Sequence, residues 1–131
     1  AIWYMMKHHC QLHQQDRTVG RALERLMVQF VISPSKEEAA NLTMNDWANL
    51  QDESLETMDS LGLIPKGMEK EVKTNFCNSM NVGGLHSDSK SGTLHLHMDC
   101  CRVDLEGNTN DVHDIHKRAM MAAEIINMRH G

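Results

Sequence analysis

Aromatic side chains are scarce: Trp3, Tyr4, Phe30, Trp47 and Phe76 are the only five in 131 residues. A core must therefore be built from aliphatic and methionine side chains. Basic charge is also short. Thirteen Lys and Arg against 18 Asp and Glu leave a formal charge of −5 with neutral His. That argues against a nucleic-acid partner, whose affinity would rest on a net basic face. No apolar run approaches the roughly 20 residues that span a bilayer, so no membrane span is expected and a soluble chain is. The opening Ala1-Ile2-Trp3-Tyr4 has no basic region ahead of an apolar stretch, so a signal peptide is not expected in this sequence. No Cys-x-x-Cys pair occurs, which weakens a structural zinc or thioredoxin-like reading. Catalytic signatures are missing too: there is no Gly-x-Ser-x-Gly, no His-Glu-x-x-His and no phosphate-cradling glycine loop followed by Lys. The expectation leans towards a protein that is not an enzyme.

Soft residues stand in for what is missing. The chain holds eleven Met, nine His and four Cys. Met gives adaptable apolar packing, and His changes charge near neutral pH. Protonating every His would carry the formal charge from −5 to +4. Cys10, Cys77, Cys100 and Cys101 are an even set, and therefore disulfide candidates. The compartment stays undecided, with a lean towards secretion. The length suits one domain, since a chain of this size buries roughly 65–70% of its unfolded surface.

Periodicity suggests helices. Residues 2–14 and, more clearly, 17–32 place apolar side chains on one face, the latter through Val19, Leu23, Leu26, Met27 and Phe30. Ser33-Pro34 stops that segment, and Ser35 with Glu38 reads as a capping box opening a helix over 35–50. Further helices are expected over 52–61, ended by Gly62, over 68–80 through Met68, Val72 and Phe76, and over 111–129. Residues 81–92 read as a long Gly/Ser loop. The stretch 93–105 fits both periods: Leu94, Leu96, Met98 and Cys100 alternate as in a strand, yet Leu94, Met98 and Cys101 also fit a helix. A lone strand would need a partner within 28–32, so the stretch is assigned to helix, with a minor β element as the alternative. The expected fold is all-α: a single helical domain over residues 1–131, with five to seven short helices around an aliphatic and Met core.

Three clusters could carry metal chemistry. His9 and His13 are four apart, sharing a helix face. His95 and His97 project together if 93–105 is a strand, with Cys101 following on the same face, whereas on a helix His97 and Cys101 pair instead. His113 and His116 make the third pair. Imidazole and thiolate suit zinc or copper. Against calcium, an EF-hand-like reading of residues 87–98 puts Met98 where a bidentate Glu is needed. Cys100-Cys101 also touches the paired-cysteine helix of secreted phospholipases A2, but Val103-Asp104 stands where that family needs His-Asp.

The segment Arg102-Val103-Asp104-Leu105-Glu106-Gly107-Asn108, followed by a His-bearing helix to Gly131, resembles the middle of insect odorant- and pheromone-binding proteins. Ala1 to Cys10, an aromatic-then-Met helix ending in Cys, is similar to that family's late cysteine-bearing helix. The chain departs from the family in having four cysteines rather than six and in the order of the two segments. The resemblance implies a helical fold lining an apolar pocket.

The leading expectation is a non-catalytic carrier of an apolar small molecule in an inter-helix cavity, with Met27, Phe30, Met58, Met68, Phe76 and Met120 as lining candidates. Histidine content suggests that binding is pH-sensitive. No cofactor is expected under that reading. The alternatives are a zinc- or copper-binding protein using His9, His13, His95, His97 and Cys101, and a helical interaction or assembly module.

Overall fold

Strand alternation wins over helical spacing at two places, and the two outcomes depend on each other. In the computed structural model, which describes residues 26–87 and 92–130, Met27–Ile32 is strand β1 and His95–Asp104 is strand β3. Each supplies the partner the other requires: Phe30 faces Met98 and Ile32 faces Leu96 in an antiparallel ladder. Ser79–His86 forms β2, antiparallel to the other edge of β3. The sheet order is β1-β3-β2.

Among the described residues, three helices accompany the sheet. Lys36–Ala40 is α1, with Ser35 as N-cap accepting from the Glu38 N–H. Met44–Ser60 is α2. It opens on a reciprocal capping box at Thr43 and Asp46, each side chain accepting from the other's backbone N–H. Those hydrogen bonds hold the Asp46 carboxyl below its ordinary pKa. Ile115–His130 is α3. A single 3-10 turn, Phe76–Asn78, precedes β2.

The all-α expectation is therefore corrected: the described residues form a mixed fold, with three helices and a three-stranded antiparallel sheet. The predicted helix over 17–32 contains β1, where Val28, Val31, Ile32 and Phe30 are good strand formers. Residues before 26 lie outside the described part, as does the helix expected over 2–14. The predicted helix over 68–80 is mostly irregular chain, pinned by a Leu63–Val72 bridge and by Asp59. That carboxylate accepts from the Thr74 hydroxyl and the N–H groups of Phe76 and Cys77. The helices expected over 35–50 and 52–61 meet the structure with their boundary moved: the break falls at 41–43, and α2 runs unbroken to Ser60. The last helix stands as read, starting a turn later.

All helices lie on one face of the sheet. Along β3, Leu96, Met98 and Cys100 point into a core with Trp47, Leu55 and Met58 of α2, Ala39 of α1 and Ala122 of α3. Each large apolar side chain buried there contributes about 1.5–3 kcal/mol over its exposed state. Gly83 lets α2 approach closely: a Cβ there would stand 2.0 Å from the amide oxygen of Gln51, whose side chain would have to shift. The alternate residues of β3 point away from the helices. On that side Cys101 and Val103 are buried, packed by Leu26, Met27, Met80 and Val82.

The disulfide expectation is corrected for Cys77 and Cys100, whereas Cys101 is disulfide-bonded. Cys77 and Cys100 are free thiols, Cys100 being enclosed in the helix-side core. No disulfide joins two described residues. Cys10 lies outside the described part.

Candidate functional site

β1, α2 and α3 leave a cleft of about 980 Å³ between them. Its apolar lining comes from every element around it: Phe30 and Ile32 of β1, Leu50 and Met58 of α2, Met98 of β3, and Ala119, Ala122 and Ile126 of α3. The reason for the space is legible in α3. Ala119, Ala122 and Ala123 stand three and four residues apart, on one helix face, and all three line the cleft. Larger side chains on that face would fill it. Phe30 is steadied from below by the fully buried Phe76, whose ring meets it edge-on at 5.3 Å.

The mouth is polar, with Glu38, Asp46, Glu53, His116 and His130 around it. Most of this polarity is already engaged. Asp46 is held in the capping box. Glu53 takes His130 Nε2 at 2.7 Å and Arg129 Nη1 at 3.5 Å, which ties the end of α3 to α2. The Ser54 hydroxyl donates to the Leu50 carbonyl. The arrangement shelters an apolar surface and offers few unsatisfied polar groups to a charged one.

Of the six residues expected to line a ligand cavity, Phe30 and Met58 do so. Phe76 lies in the core behind Phe30. Met27 belongs to the opposite face of the sheet, and Met68 and Met120 are exposed. The missed residues are mainly Ile32, Leu50, Ala119, Ala122 and Ile126. The cleft is made by small side chains, whereas methionine content points to large flexible ones.

The sheet face away from the helices gathers three imidazoles. His86 of β2 is the register partner of His95 on β3, and His97 follows two residues later on the same face. Ring centroids are 4.2 Å apart for His86 and His97, 4.8 Å for His95 and His97, and 5.9 Å for His86 and His95. His95 Nδ1 lies 3.1 Å from the Thr93 carbonyl, so that nitrogen carries the proton. His97 Nε2 is buried with no hydrogen-bond partner among the described residues. Cys101, four residues beyond His97, is removed by about 13 Å at strand rise. His9 and His13 lie outside the described residues. His86 escaped sequence reasoning because its segment was read as loop; only the hairpin register places it beside His95.

Neither free thiol has the environment of a nucleophile. Burial, with a smaller contribution from Asp99, pushes Cys100 up to about 12. Desolvation and the Asp59 carboxylate do the same for Cys77, also to about 12. A reactive cysteine needs the opposite shift. Among the described residues no helix is long and apolar enough to cross a membrane. No family model, curated protein or solved structure matches this chain.

Proposed function

We propose that this chain is a non-catalytic binding protein that carries a neutral, largely apolar small molecule in the cleft between β1, α2 and α3. The single observation supporting this most strongly is the alanine face of α3 standing over the apolar side chains of β1 and α2. A volume of about 980 Å³ falls at the upper end of the range of small-molecule sites, which are mostly apolar with a few polar groups. The paired carboxylates at the mouth favour an uncharged ligand: a cation would have to compete with His130 and Arg129 for Glu53, and an anion would approach an acidic rim. Phe30 and Met58 supply polarizable, adaptable contact surface, which suits a class of ligands better than one rigid shape.

Titration with the neutral fluorophore N-phenyl-1-naphthylamine tests the reading, comparing the native chain with Ala119→Phe and Ala123→Trp. Ala123 is exposed and Ala119 half-buried, so both larger side chains have room to enter the cleft without displacing core. Saturable binding to the native chain, weakened about tenfold or more by either substitution, is expected; this corresponds to roughly 1.4 kcal/mol. Binding that neither substitution changes would place the probe elsewhere, and absence of binding would end the proposal.

A further inference from the structure

We propose that His86, His95 and His97 form a site for a borderline divalent cation such as zinc, on the sheet face turned away from the helices. The three come from two adjacent strands whose register is fixed: His86 faces His95, and Gly84 faces His97. Alternation puts all three side chains on the same face. The glycine matters here, because without a side chain opposite His97 the ring of His86 can lean diagonally across. It lies 3.6 Å from the point where a Cβ on Gly84 would stand and reaches within 4.2 Å of the His97 ring.

The spacing matches what an ion requires. Three imidazoles bound to one zinc at about 2.0–2.1 Å, in tetrahedral directions, have ring centroids about 5 Å apart. The three observed separations, 4.2, 4.8 and 5.9 Å, bracket that value. The rings are tilted by 29–49° against one another, and no group of three donors among the described residues is yet arranged around an ion. Coordination therefore requires the three rings to rotate towards a common point. Two details favour coordination. The bond from His95 Nδ1 to the Thr93 carbonyl orients the ring, as carbonyl partners of ligating histidines do. His97 Nε2 is buried without a hydrogen-bond partner among the described residues, and a cation would give its lone pair an acceptor. Three neutral imidazoles leave a fourth position for solvent.

This site is separate from the cleft, so its test is independent of the carrier reading. The full chain, stripped with a chelator and dialysed, is titrated calorimetrically with zinc chloride, and cobalt(II) is added in parallel to read coordination from its visible spectrum. One zinc per chain and tetrahedral cobalt bands are expected. His86→Ala and His97→Ala should each weaken zinc by about tenfold or more, while His113→Ala, beside Asp114 near α3, should not. Circular dichroism establishes that the variants keep the native fold, and exposed His86 is the safer substitution. Zinc affinity unchanged in folded His86→Ala, or no binding at millimolar zinc, would overturn the proposal. So would affinity lost only with His9→Ala or His13→Ala.

Discussion

Gly84 and His97 face each other across the β2–β3 ladder, and the space left by the missing side chain is taken by the ring of His86. A strand-compatible residue at 84 is therefore expected to separate two rings that are not themselves register partners. Gly84→Ala should be tolerated, because its Cβ would meet His86 at an ordinary 3.6 Å. Gly84→Val adds branches that push the ring of His86 aside while favouring the strand. Zinc affinity is expected to fall about tenfold in Gly84→Val, with circular dichroism unchanged. Equal affinity in both variants would show that the lean of His86 over Gly84 has no bearing on the ion.

The thiols carry a pH dependence of definite sign. Cys100 sits at about 12 in the fold against 9.0 in its unperturbed state, so folding favours its protonated form. Its contribution is fully present below about pH 9 and is lost as pH rises towards 12. Urea denaturation should show stability falling between pH 9 and 11 more steeply in the native chain than in Cys100→Ala, although the variant is less stable at pH 7. Parallel pH profiles would contradict the buried neutral thiol.

Cys77 tests the same principle at the surface. It is exposed, yet desolvation and the Asp59 carboxylate raise it to about 12. Thiolate is the reactive form, and its scarcity is only partly offset by the greater nucleophilicity of a more basic sulfur. Iodoacetamide at pH 8 should therefore modify Cys77 at least about tenfold more slowly than free cysteine. Asp59→Asn should speed the reaction if the fold is kept. Labelling at the rate of free cysteine would remove the assigned environment.

The parts of the fold legible in the sequence are those whose signals are local. Ser35 caps α1, Gly107 sits at a positive φ of 89° in the turn after β3, and the apolar face from Ile115 to Ile126 marks α3. The sheet was not local. Residues 27–32 and 95–104 each fit two periods, and the strand reading of one requires the strand reading of the other. Assigning helix to the first, and loop to the residues of β2, left the second without either of its partners. His95 and His97 were paired correctly under the strand alternative, but His86 joins them through hairpin register, which no spacing in the chain reveals. The cleft was hidden for another reason: alanines on a helix look like ordinary helix formers until the opposite wall is in place.

The central claim is that the cleft facing α3 is the ligand site, and residue-resolved localisation tests it most directly. Backbone proton–nitrogen correlation spectra are recorded with and without saturating N-phenyl-1-naphthylamine. The account predicts that the largest shifts fall together at Ile32, Leu50, Ala119, Ala122 and Ala123, which converge on the cleft from three elements, while Gly84 and His97 on the other face stay in place. Shifts centred on Gly84 and His97, or scattered over the surface with no cluster at the alanines of α3, would contradict it.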